Sequence, residues 1–222
     1  MANTARGRLI DLSHDITEGM VTYKGLPGPH ICDYWSREAS AGNYDDGASF
    51  QIGRIDMVAN TGTYLDTPFH RYEDGDDLAL VAIERVAGLR GVMVRSSEMA
   101  IDVSVFAGVE VVGKAVLVAT GWDRHWGSDA YFEGHPFLTE AAARHLTERG
   151  AALVGIDSHN IDDTRSRTRP VHTVLLGAGI PICEHMTRVG ELSPTDFRFT
   201  AAPPKIVGMG TFAVRAFAEL AV

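Results

Sequence analysis

Cysteine is nearly absent from this chain: Cys32 and Cys183 are the only two among 222 residues. That excludes a disulfide framework and a cysteine-rich zinc site, and makes a reducing compartment, the cytoplasm, the expected location. Positive charge is also short. Twenty Lys and Arg against 29 Asp and Glu leave a formal net charge of -9. No basic run offsets it locally, so nucleic acid is not an expected partner. No apolar stretch reaches the roughly 18 uncharged residues of a membrane span, and the opening MANTARGRLIDLSHD has no continuous apolar segment. Neither a membrane anchor nor an export signal is therefore expected. Nucleophile and nucleotide motifs are missing too: there is no G-x-S-x-G, no P-loop, no H-E-x-x-H, and no G-x-G-x-x-G opening a helix.

What is present is an ordinary globular composition, 45% hydrophobic and 22% charged, with enough length for one domain over 1–222 and a full core. Alternation of apolar and polar residues predicts strands at 8–12 and 50–59, separated by a long irregular loop over 17–49 that carries Met20, Tyr23, Tyr34 and Trp35. A loop of that length tends to be functional, as a lid or as an arm on a neighbouring subunit. A helical turn and a strand at 91–95 follow, then a buried strand at 115–119. Residues 139–149 carry a Thr cap, Ala and Leu at helical spacing and a Gly stop, and lead into a strand at 153–157. A short helix over 171–179, a strand reaching Glu184, and a closing pair of strands in KIVGMG and FAVRAFA complete an α/β reading, with ligand groups expected after strand ends.

The residues suited to chemistry fall into two groups. Asp66 and His70 lie four apart with Pro68 between them, whose fixed φ and missing N–H stiffen the segment. A capped turn with a surface histidine is the plain alternative. His172 and Glu184 flank the apolar LLGAGIPIC, so both sit at the edge of the core, where a carboxylate without a partner is costly. A core histidine and an Arg-paired Glu are the alternative there. Asp157 lies just past a strand end; His159, Asp162 and Asp163 read equally well as solvated loop residues. His125, Trp126 and His135 either line a pocket or fill loops. His14, His30, His145 and His185 are assigned to structure or surface.

Taken together, these segments resemble the bacterial kynurenine formamidase and cyclase family, which carries H-x-G-T-H-x-D-x-P-x-H. The same frame here reads NTGTYLDTPFH, residues 60–70. LIDLSHDITEGMVTYKG, LTEAAARHLTERGAALVGIDS and HTVLLGAGIPICE extend the likeness over nearly the whole chain. The resemblance implies a single-domain, swivelling β/β/α fold, a homo-oligomer (dimer or tetramer), and the opening of amides, lactams or lactones or a cyclisation in the opposite sense. It also implies a divalent metal held at the positions of Asn60, Tyr64, Asp66, His172 and Glu184, with His70 as general acid/base. Two of those positions depart from the family pattern, since an amide and a phenol replace imidazoles that zinc prefers. Asp66, His172 and Glu184 remain as ligands, a set suited to Mn, Mg or a weakly held Zn, or to no ion. His70, Tyr64 and Asp66 are the expected catalytic residues. Asn60, Tyr23 and Trp122 are the expected contacts of a small, aromatic or cyclic carbonyl substrate. Hydrolysis of an amide, lactam or ester is the leading reading; metal-independent cyclisation, dehydration or isomerisation, and a non-catalytic binding protein, are the alternatives.

Overall fold

The computed structural model describes residues 7–221; residues 1–6 and 222 lie outside the described part. The strands in chain order are β1 (Leu9–Asp11), β2 (His30–Trp35), β3 (Ile52–Asp56), β4 (Tyr64–Asp66), β5 (Leu89–Arg95), β6 (Ala100–Ile101), β7 (Ala115–Ala119), β8 (Phe137–Leu138), β9 (Leu153–Ile156), β10 (Ile182–Glu184), β11 (Phe197–Thr200), β12 (Thr211–Ala213) and β13 (Phe217–Leu220). The helices are α1 (Arg37–Ser40), α2 (Glu140–Glu148) and α3 (Pro170–Gly177). Nine strands form one sheet in the order β1-β13-β11-β5-β7-β9-β10-β4-β12.

The middle of the sheet, β5, β7, β9 and β10, is parallel, and antiparallel strands extend it on both sides. Parallel strands are buried on both faces, and strict alternation divides their residues between two cores. Val92, Val116, Val118, Val154 and Ile182 join Ala142, Leu146, Leu175 and Leu176 under the helices. Met93, Leu117, Leu153 and Cys183 face the opposite way, against Leu12, Phe197, Phe199 and Leu65. The architecture is a mixed α/β fold with few helices.

The helix ends follow local chemistry. Thr139 caps α2 by accepting from Ala142 N at 3.1 Å, and Gly150 ends it at φ +77°. α3 starts on Pro170 with no side-chain cap from Arg169. The carboxylate of Asp162, from the preceding loop, accepts from Val171 N at 2.8 Å and His172 N at 3.1 Å instead. An anion at that end is favoured by the helix dipole as well as by the free N–H groups.

Two sequence expectations are corrected. The expected loop over 17–49 contains β2 and the one-turn α1; β2 pairs with β3 as a two-stranded ribbon apart from the main sheet, leaving Ile31, Tyr34, Ile52 and Ile55 exposed. KIVGMG is not a strand. Gly208 turns at φ +77°, and Gly210 passes so near His70 that a Cβ there would lie 2.2 Å from its backbone N. FAVRAFA divides instead into β12, at one end of the sheet, and β13, beside β1 and β11.

Candidate active site

The site is built on the three-residue strand β4, held between β10 and β12. In this register Tyr64 lies opposite Glu184, and Asp66 lies opposite Thr211. Because side chains alternate across a sheet, Leu65 and Cys183 turn into the core while Tyr64, Asp66, Glu184 and Thr211 share the other face. The pairing makes two contacts directly: Tyr64 Oη donates to Glu184 Oε2 at 2.7 Å, and Thr211 Oγ1 donates to Asp66 Oδ1. Pro68 then opens a single 3-10 turn, Pro68–His70, which brings His70 Nδ1 to 2.7 Å from Thr211 Oγ1 and 3.6 Å from Asp66 Oδ1. Since the Thr211 proton is given to Asp66, its oxygen accepts from His70 Nδ1–H. That tautomer leaves Nε2 of His70, the exposed member of the group, with its lone pair free.

His172 enters from α3. Its Nδ1 lies 2.6 Å from Asp162 Oδ2, so this carboxylate both starts the helix and fixes the ring. Nε2 points into the site, 3.6 Å from Asp66 Oδ2 and 3.8 Å from Glu184 Oε2. Burial alone would lower the basicity of His172, but the carboxylates of Glu184, Asp162 and Asp66 outweigh it and hold it above the ordinary histidine range. Burial, reinforced by the charge of Asp66, raises Glu184 above the usual carboxylate range. Its Oε1 accepts from Ile161 N at 2.6 Å.

A cavity of about 520 Å³ opens on this face. Tyr23, Phe132 and His159 form an aromatic wall, and Arg71 and Arg169 also line it. Burial, then the charge of Glu184, holds the phenols of Tyr23 and Tyr64 well above the ordinary tyrosine value, so both remain neutral donors. Tyr23 Oη accepts from Asn160 Nδ2 at 2.8 Å and lies 3.0 Å from Tyr64 Oη. Behind them His185 is fully buried, and burial followed by neighbouring imidazoles keeps it neutral. Its Nδ1 lies 2.9 Å from Tyr131 Oη, and Nε2 lies 3.2 Å from Tyr23 Oη and 3.3 Å from Tyr64 Oη. With the Tyr131 hydroxyl donating to Nδ1, Nε2–H supports both phenol oxygens.

The donor set fits a divalent cation. Asp66 Oδ2 is buried without any hydrogen-bond partner, and the Asp162 bond turns Nε2 of His172 towards it, where the ring would offer a lone pair once an ion displaces the Nε2 proton, the orientation that a carboxylate behind a ligand histidine produces. Ligand-type atoms of Asp66, His70 and His172 lie within 4.8 Å of one another. Glu184, expected beside Asp66 and His172, is not in that group, and both of its oxygens already accept protein donors.

Of the substrate contacts expected from the sequence, Asn60 and Tyr23 line the cavity. Trp122 does not: its indole donates to Tyr131 O at 3.0 Å, packing the loop from behind. His159, Asp162 and His185 were expected as loop, surface or structural residues; all three are buried here. Thr211 and Arg71 were not singled out at all. A cap-like Asp eight residues before Pro170 and a Thr in an apolar strand were the available signals.

The sequence model of the Cyclase family matches residues 10–163. The chain belongs to the Cyclase family. Kynurenine formamidase of Geobacillus thermodenitrificans (strain NG80-2) is 28% identical over 209 residues, covering 93% of this chain and 95% of that protein. A structure described as a metal-dependent hydrolase from Bacillus stearothermophilus shares 27% identity with a TM-score of 0.76, covering 96% and 98% of the two chains. Isatin hydrolase A from Labrenzia aggregata has a similar fold, with a TM-score of 0.82 at 21% identity and coverage of 97% and 94%. This Cyclase-family chain is an enzyme of the hydrolase type.

Proposed function

We propose that this enzyme hydrolyses an amide, lactam or ester bond attached to an aromatic ring, with an aryl formamide or a cyclic aryl amide as substrate. The observation that carries the reading is the chain His70–Thr211–Asp66 beside Nε2 of His172. It is supported by the aromatic cavity wall and by the names of the relatives, kynurenine formamidase and isatin hydrolase.

In this reading His70 Nε2 removes the proton of a water molecule as the water oxygen attacks the substrate carbonyl. Asp66, through Thr211, holds the ring and stabilises the imidazolium. The same proton is returned to the departing nitrogen as the C–N bond breaks, giving a carboxylic acid and an amine. Tyr64 and Tyr23, both neutral, place their hydroxyl groups at the wall where carbonyl charge develops, and would serve as donors there by turning their protons from Glu184 and from the His159 carbonyl. When bound, a divalent ion at Asp66 and His172 would supply Lewis-acid polarisation of the carbonyl. The donors favour one class of ion: with Asn60 and Tyr64 in place of imidazoles, an oxygen-preferring Mn or Mg fits better than tightly bound Zn. One observation favours a second reading, acid/base cyclisation or isomerisation without a metal: the Tyr64 hydroxyl occupies Glu184 Oε2.

The exposed apolar residues of the β2–β3 ribbon support a homo-oligomer. No helix among the described residues is long and apolar enough to cross a membrane. Turnover of N-formylkynurenine, other aryl formamides, cyclic aryl amides and aryl esters by the purified protein tests the reading. Release of the amine or ring-opened acid supports it, and a protein inert towards every amide and ester in the panel refutes it.

A further inference from the structure

Arginine contacts in this chain divide between carboxylates and backbone carbonyl oxygens, the latter as at Arg124, Arg169 and Arg198. Arg144, Arg165, Arg188 and Arg215 each pair with an Asp or Glu at 2.6 to 2.8 Å. The catalytic cavity is lined by two that do not. Among the described residues, Arg71 and Arg169 form no ion pair, although the chain carries a net charge of -9. Arg71 is exposed beside His70 and makes no side-chain hydrogen bond. Arg169 is half-buried, and its Nη1 is tied to the carbonyl oxygens of Ser166 at 2.6 Å, Thr168 at 2.8 Å and Asp163 at 3.3 Å. The three carbonyls fix the guanidinium and leave Nε and Nη2 without a protein acceptor. The other charged groups lining the cavity do not neutralise the pair. Lys24 is itself a cation, held at 3.1 Å by Asp129, Glu184 lies at the catalytic floor under Tyr64, and Glu133 makes no ion pair with either arginine.

We propose that the substrate carries a carboxylate, bound by Arg71 and Arg169, while its ring lies against Tyr23, Phe132 and His159 and its reacting carbonyl faces His70. A guanidinium presents parallel N–H donors that match a carboxylate, and such charge-assisted bonds are roughly twice as strong as neutral ones. The site thus selects anionic aryl compounds over their neutral counterparts. This rests on the hydrolase reading only for the position of the reacting carbonyl.

The test uses benzoate and benzamide, which share shape and differ in charge, titrated into the full-length protein by ligand-observed NMR at low ionic strength. Benzoate is expected to bind at least about tenfold more tightly than benzamide. The preference is expected to fall to near unity in Arg71→Met and in Arg169→Gln, the second keeping an amide donor for the loop carbonyls. Equal binding of the two probes to the unaltered protein, or a preference that survives in either folded variant, overturns the inference. Binding needs no turnover, so the two ideas fail separately: a protein that hydrolyses neutral aryl amides but does not prefer benzoate loses only the carboxylate subsite.

Discussion

Replacing Thr211 by Val keeps the shape of β12 and deletes the one hydroxyl that joins Asp66 to His70. Thr211 supplies the side-chain hydrogen bond to Asp66 Oδ1, and Asp66 is fully buried with Oδ2 already unpartnered. A hydrogen bond to a charged group contributes about 1.5–3 kcal/mol, and a protein of this size loses roughly 2–4 °C of melting temperature per kcal/mol, so a fall of about 4–8 °C is expected for a loss near 2 kcal/mol. The effect on rate has a separate origin. Without Thr211 the Nδ1–H of His70 loses its acceptor, the ring is free to rotate or change tautomer, and Nε2 is no longer aimed. Thr211 is a positioning residue, so kcat should drop by about ten- to a hundredfold while KM changes by less than about threefold. Thermal melts and steady-state turnover of an aryl formamide measure both quantities. Thr211→Ser, which retains the hydroxyl, should recover most of each. A Val variant with unchanged melting temperature and kcat, or a Ser variant as impaired as Val, would refute the reasoning.

Asp162→Ala should remove both the start of α3 and the support of His172; a loss of at least about 2 kcal/mol in denaturant unfolding is expected, with Mn²⁺ affinity lowered by about ten- to a hundredfold, and unchanged metal titration would show that the Nδ1 contact does not orient the ring for an ion. Asn60→His combined with Tyr64→His should raise zinc affinity by at least about tenfold in calorimetry; no gain would mean that the two positions do not converge on Asp66 and His172. Light scattering at micromolar protein should give a mass well above the 24.0 kDa of one chain, with charge placed at Ile31 and Ile55 lowering it; a monomer would leave the exposed ribbon unexplained.

The fold was legible where the signal was local. Continuous apolar runs marked β7 and β9, and the Thr139 cap with the Gly150 stop bounded α2. β11 was not legible, and β12 was read as one strand with β13, because short strands in a loop-rich C-terminal stretch are decided by which neighbours they pair with. Asp66, His70, His172 and Glu184 stood out through spacing and family likeness. Thr211 could not, since its role exists only in the register that sets it opposite Asp66, a contact between residues 145 positions apart. Asp162 and His185 were hidden for a related reason: a polar residue in a loop reads as solvated until the packing that buries it is known. Trp122 erred the other way, an aromatic in the right loop that packs behind the wall rather than forming it.

The central claim is that His70, held by Thr211 and Asp66, moves the proton in amide hydrolysis. Its most direct test is turnover of aryl formamides and cyclic aryl amides by the unaltered enzyme and by His70→Gln, with circular dichroism showing that both are folded. The expected result is measurable hydrolysis by the former and a kcat lower by about a hundredfold or more in the latter, the scale of a lost acid/base group. A folded His70→Gln enzyme that hydrolyses the same substrate at the full rate would contradict the claim.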